Sequence, residues 1–315
     1  MSEDVVALAL SLALLTVAGD QFVIGLARLA ASLRVRPTVV GALVGGFGTS
    51  LPELIVAGVA TARGSSQIAM GSLVGSIIAN VSLGLAIACL VAPVRVDSRT
   101  VRREVPLSVG AVLLLAVVAH GGTSRSAGLA FAVALVIALV GLLLNARQAK
   151  PQDELGVAVV EFFDERHPHR FASELTRTAL SAAVMIAGAV LLVRSCADLA
   201  KRLGVAQGLV GLTVVAVGTS APLIVSSIQA ARRGDPDLVV GNILGGNLFI
   251  ALLGGATVAV LGRSEASSIG DAPLWLMAAL VIAAWGFMAN GRVLSRWEAT
   301  ALLLAYAVML PIVTR

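Results

Sequence analysis

The sequence predicts an all-α polytopic membrane protein, ten transmembrane helices arranged as two inverted five-helix repeats. Three observations predict it. Of 315 residues, 58% are hydrophobic and 13% charged, with a mean hydropathy of +0.95, whereas an ordinary soluble domain carries about 25% charged residues. Apolar runs long enough to span a bilayer recur between short polar breaks. The second half of the chain also repeats the first at a spacing of 170 residues.

Taken in order, the spans fall near 5–27, 38–62, 66–92, 104–120 and 127–145, then near 178–200, 207–231, 237–261, 273–289 and 297–313. Each is bounded by Arg, Pro or Gly clusters. The first follows Met1-Ser2-Glu3-Asp4, which lacks the basic region of a cleaved signal, so it is expected to stay as a helix. Residues 1–145 form the first repeat and 178–315 the second. Between them, 146–177 reads as a cytoplasmic linker carrying Glu154, Glu161, Asp164, Glu165, His167 and His169. His167-Pro168-His169 lacks the spaced ligand set of a metal site and reads as solvated linker.

The net charge of +5 would point to nucleic acid in a soluble protein. Here the basic residues lie between apolar spans, where they set topology. Sixteen of the 23, among them Arg28, Arg34, Arg36, Arg99, Arg102, Arg147, Arg177, Arg232 and Arg296, fall on one side, which places the N-terminus outside. Cys89 and Cys196 lie in apolar stretches and read as packing residues, which excludes a disulfide framework. Arg greatly outnumbers Lys, and the Ala, Val and Gly content is high. That composition suggests a bacterial plasma membrane protein.

The repeat is gap-free over about 50 positions. Leu29 meets Leu199, Gly41 meets Gly211, Gly48-Thr49-Ser50 meets Gly218-Thr219-Ser220, and Pro52 meets Pro222. Arg63-Gly64 then meets Arg233-Gly234, Gly71 meets Gly241 and Gly75 meets Gly245. Five spans per half is an odd number, so the second copy enters the membrane from the opposite side. Inverted repeats with Gly- and Pro-interrupted helices at matching positions are the pattern of secondary transporters with a midplane site. Pro52 and Pro222 each remove a helical hydrogen bond, freeing carbonyls near Gly48 and Gly218 as oxygen ligands. Gly45, Gly46, Gly48, Ala216 and Gly218 also allow helices to cross closely.

Glu53 carries the most weight. A carboxylate at mid-span costs several kcal/mol unless it meets a cation, a proton or a basic group. Thr49 and Ser50, one turn away, complete an all-oxygen cluster suited to a hard cation. Ser76 and Asn80 share one face of the third span.

Gly48-Thr49-Ser50-Leu51-Pro52-Glu53 with Gly71-Ser72-Leu73-Val74-Gly75-Ser76, and Gly218-Thr219-Ser220-Ala221-Pro222 with Gly241-Asn242-Ile243-Leu244-Gly245-Gly246-Asn247, resemble the two alpha repeats of the sodium/calcium exchanger family of cation/calcium antiporters. The resemblance covers essentially the whole chain. It implies four core helices around the ions, alternating access by sliding of the first and sixth helices, and competition of sodium or protons with calcium for shared oxygens. By position it assigns ion-ligand roles to Thr49, Ser50, Glu53, Ser76, Asn80, Thr219 and Ser220, with Glu53, Thr49, Ser50 and Thr219 as the metal contacts. The family's second glutamate is Leu223 here, its eighth-helix serine is Gly246, and the polar position four residues later is Ile250. A site with one carboxylate balances a monovalent cation better than calcium.

Calcium exchange for sodium or protons is therefore the first expectation. A monovalent cation/proton exchanger and a non-transporting relative are the alternatives. The expected partners are small inorganic cations and membrane lipid, with no nucleic acid and no cofactor; the oligomeric state stays open, with a monomer compatible. No Ser/His/Asp, Cys/His or HExxH grouping lies at membrane depth and no Walker A sequence occurs, so an enzyme and direct ATP drive are not expected. Asp20 lies deep in the first span as a candidate proton or packing group. Arg194 reads as snorkelling outward, and Asp235 and Asp237 as helix-start residues.

Overall fold

The computed structural model describes residues 2–33, 46–95, 98–148, 170–262, 269–291 and 293–313. Their helices are α1 (Ser2–Ser32), α2 (Leu51–Ala62), α3 (Ser66–Val91), α4 (Ser98–Gly121), α5 (Arg125–Gln148), α6 (Phe171–Leu203), α7 (Gln207–Arg233), α8 (Pro236–Leu261), α9 (Asp271–Gly291) and α10 (Arg296–Val313). Eight of these are long and apolar enough to cross a membrane, and α2 is a shorter apolar helix. Helix α6 starts at Phe171, ahead of the expected 178, and α5 runs to Gln148. Polar residues at these ends continue the helices past the apolar window, which hydropathy alone does not follow. His167 and His169, the start of the second span and Gly45 lie outside the described residues.

Burial sorts the helices into layers. In α3 and α8, 78% and 72% of the apolar window is buried, against 17% in α5. Apolar residues all round α3, such as Ile68, Met70, Leu73, Ile77 and Ile78, are therefore covered by protein rather than lipid. Helices α2, α3, α7 and α8 form the inner bundle, with α4 and α5 against α8, α10 against α3 and α9 against α4. Helices α1 and α6 pack along each other and lie across the bundle, α1 touching α7 and α6 touching α2. The α1–α6 seam is made by small residues: a Cβ on Gly25 would meet the Thr178 hydroxyl, and one on Gly188 would lie 3.3 Å from Leu14 and Leu15.

Beyond the all-α expectation, Val94–Arg95 (β1) pairs antiparallel with Val293–Leu294 (β2). Two-residue strands carry no periodic signal. The pair ties the loop after α3 to the loop before α10, and Cys89 donates to the Leu294 carbonyl at 2.9 Å.

The 170-residue offset recurs in the fold. A π-helical turn opens at Asn80 in α3 and another at Ile250 in α8. Turns pass through left-handed glycines at Gly64 (φ 77°) and Gly234 (φ 78°), a conformation that residues with a Cβ rarely adopt. Gly75 lies against Leu212 and Ala216 of α7, and Gly245 lies against Gly46 ahead of α2. Equivalent residues thus make equivalent contacts.

Candidate cation site

The first repeat positions Glu53 by interrupting its helix. Residues 46–48 form a π-helical turn, the chain loosens at Ser50 (φ −95°, ψ 1°), and α2 begins again at Leu51 with Pro52 in its first turn. Proline is tolerated there because no intrahelical partner awaits its missing N–H. Glu53 falls in the same first turn, where the exposed N–H groups favour a negative charge. In the second repeat the helix runs through Pro222 without a restart.

Glu53 is fully buried. Its Oε1 accepts a hydrogen bond from the Ser220 hydroxyl at 3.2 Å, and its Oε2 has no hydrogen-bond partner among the described residues. Thr219 donates to the Val215 and Ala216 carbonyls at 3.0 and 3.2 Å, and Ser76 lies 3.4 Å from the Thr219 hydroxyl. Ser50 donates back to the Gly46 carbonyl at 2.9 Å. Asn80 Nδ2 donates to Asn247 Oδ1 at 2.9 Å, which leaves Asn80 Oδ1 buried and unpartnered. The hydroxyl protons point to carbonyls or to Glu53, so the oxygens keep lone pairs for a cation. The donors are one carboxylate plus neutral hydroxyl and amide oxygens, a set that suits hard cations. Among the described residues no group of three His, Cys, Asp or Glu occurs.

Every residue expected from the sequence at this site is buried, and cross-repeat contacts link most of them: Glu53 with Ser220, Ser76 with Thr219, Thr49 with Asn242, and Asn80 with Asn247. Leu223 is fully buried, and a Cβ at Gly246 would sit 2.9 Å from both its Cδ1 and the Ser50 hydroxyl. The face that would carry a second carboxylate and serine is filled with hydrocarbon. Two residues of α8 were missing from the expected set. Asn242 accepts from Thr49 at 2.9 Å and donates to Ser226 at 2.7 Å, and Asn247 supplies the partner of Asn80. The available signal was the pair of amides flanking Gly245-Gly246 in the repeated motif. Arg194 is exposed, and Asp235 is the residue preceding α8.

A sequence profile described as sodium/calcium exchanger protein matches residues 4–145 and 175–315. The chain belongs to the sodium/calcium exchanger family. CaxA of Alkalimonas amylolytica is 31% identical to this exchanger-family chain over 301 residues, covering 94% of this chain and 93% of CaxA. Sodium/calcium exchanger MaX1 of Methanosarcina acetivorans is 27% identical, covering 96% of each chain. Among solved structures, the sodium-calcium exchanger NCX_Mj soaked with Na+ and Sr2+ superposes with a TM-score of 0.66 at 25% identity, covering 98% of each chain. The exchanger fold is shared from end to end, so Leu223 at the position expected for a second glutamate sits within an intact family architecture.

Proposed function

We propose that this chain is a secondary active antiporter that exchanges calcium for sodium or protons by alternating access, with Glu53 as its single central carboxylate. The observation that carries the reading is the buried, unpartnered Glu53 Oε2 in a cluster of hydroxyls that donate to Glu53 Oε1 or to backbone carbonyls. Thr49, Ser50, Glu53, Ser76, Asn80, Thr219 and Ser220 are the proposed ion-binding residues, and Glu53, Thr49, Ser50 and Thr219 the proposed metal contacts. Membership of the exchanger family supports antiport. The close packing of α1 on α6, each of which also touches an inner helix, supports movement of that pair as one unit over the site. The proposed setting is a bacterial plasma membrane with the N-terminus outside, as the distribution of basic residues favours.

A second reading has its own support. Leu223, Gly246 and Ile250 remove the remaining charged and hydroxyl ligands, leaving a net charge of −1, which balances one sodium ion or one proton. Calcium flux into proteoliposomes under an imposed sodium gradient, and separately a pH gradient, decides between them. The expected result is uptake that disappears in Glu53→Gln, with the effective gradient naming the counter-ion. Sodium or proton flux without calcium flux would establish the monovalent exchanger, and no flux of any cation would overturn the transporter reading.

A further inference from the structure

Beside the Glu53 site lies a separate small cavity that sequence reasoning does not anticipate. Gly19, Asp20 and Val23 of α1, Gly48 and Thr49 ahead of α2, Pro52 in its first turn, and Pro222 and Ser226 of α7 line it. Its volume of about 20 Å3 accommodates one water molecule or one small ion. Asp20 is exposed at one end, whereas Thr49 and Pro52 are buried at the other, Pro52 being next in the chain to Glu53. A Cβ on Gly19 would lie 3.2 Å from the Pro52 ring, so α1 approaches the turn closely here.

The polarity of the lining is fixed by its hydrogen bonds. Thr49 donates its hydroxyl proton to Asn242 Oδ1 at 2.9 Å, and Ser226 donates its own to the Leu223 carbonyl at 3.0 Å. Ser226 also accepts from Asn242 Nδ2 at 2.7 Å. With each proton committed to a protein acceptor, the two hydroxyl oxygens act as acceptors rather than donors toward a ligand. The third polar group is the Asp20 carboxylate, which pairs with no basic side chain among the described residues. A carboxylate at this depth in a membrane span requires a cation or a proton.

We infer that Asp20, Thr49 and Ser226 form a second site for a monovalent cation, with sodium as its probe, adjoining the Glu53 site at Thr49. Asn242 is the positioning residue: it holds both hydroxyls with their lone pairs toward the ion. One carboxylate and space for a single ion match one charge, and the shared Thr49 makes the cavity a station between the exposed end at Asp20 and Glu53. That role as a station rests on the antiporter reading, whereas binding at Asp20 does not.

The test is equilibrium binding of tracer sodium to the purified full chain in detergent, with Glu53→Gln as the background. Glu53→Gln is expected to keep a saturable sodium component. Adding Asp20→Asn weakens that component by about tenfold or more through loss of its charged ligand, and adding Asp20→Glu instead restores it, which separates loss of the ligand from loss of the fold. No sodium binding in Glu53→Gln, or equal binding with and without Asp20→Asn, would overturn the proposal. Because the readout is binding without flux, absence of calcium exchange in proteoliposomes would defeat the antiporter reading and leave this result standing.

Discussion

Glu53 and its repeat partner Leu223 show how far one residue can change a site without disturbing the fold around it. Both are fully buried, and the two positions are related by the offset that relates their helices. Ser220 supports Glu53 across the repeat boundary, but its counterpart Ser50 has no carboxylate to support and turns back to the Gly46 carbonyl. Leu223→Glu is therefore expected to give Ser50 that partner and the site a second negative charge. Calcium affinity should tighten by at least about tenfold, 1.4 kcal/mol, because calcium is usually held by more than one carboxylate. Unchanged affinity in a calcium titration would show that the charge count does not limit binding. Glu53 stands out in the sequence as a carboxylate in an apolar span, whereas Ser76, Asn80, Thr219 and Ser220 are assigned through the repeated motif; the structure buries all five. Asn242 and Asn247 were not legible in the sequence. Their roles are defined by hydrogen bonds to Thr49 and Asn80, residues far away in the chain, and no local pattern encodes a partner.

At the scale of the helix, close approach does what propensity alone would oppose. Gly75 and Gly245 sit inside helices, where glycine costs roughly 1 kcal/mol relative to alanine, yet each lets a neighbouring backbone come within contact. A Cβ on Gly75 would collide with the Leu212 carbonyl and lie 2.6 Å from the Ala216 Cβ, and one on Gly245 would lie 3.1 Å from Gly46 Cα. Gly110 of α4, with nothing within 4 Å of its Cβ position, carries no such constraint. Gly75→Val is therefore expected to destabilise the protein by about 1–3 kcal/mol through overpacking of α3 on α7. Gly110→Ala should be neutral or stabilising by up to about 1 kcal/mol. Thermal unfolding in detergent checks both, and equal melting temperatures for the two variants would mean that the α3–α7 contact does not hold the bundle. The repeat alignment flagged the glycines, and hydropathy set the spans. The early start of α6 and the β1–β2 ladder were not legible, since neither depends on an apolar period.

Across the whole molecule, the duplication supplies matching devices in the two halves. Gly64 ends the turn after α2 and Gly234 the turn after α7, both with left-handed backbone. If the halves are inverted, these two turns open to opposite sides of the membrane. The buried pair between Arg28 of α1 and Glu174 of α6, 3.5 Å apart, joins the end of the first helix to the start of the sixth. These two helix ends therefore lie on the same side, which the proposed topology assigns to the face carrying most of the basic loops. Together with the distribution of basic residues, this supports the proposed orientation, with the N-terminus outside. The two ends of α7 test it, because Ala206 and Arg232 are exposed while Cys89 and Cys196 are buried. In whole cells, Ala206→Cys is expected to react with a membrane-impermeant thiol reagent, and Arg232→Cys to react only after permeabilisation. The reverse pattern would place the N-terminus inside. It would also reverse the face toward which the Asp20 end of the α1–α2–α7 cavity lies, and so the direction from which a cation first reaches Glu53.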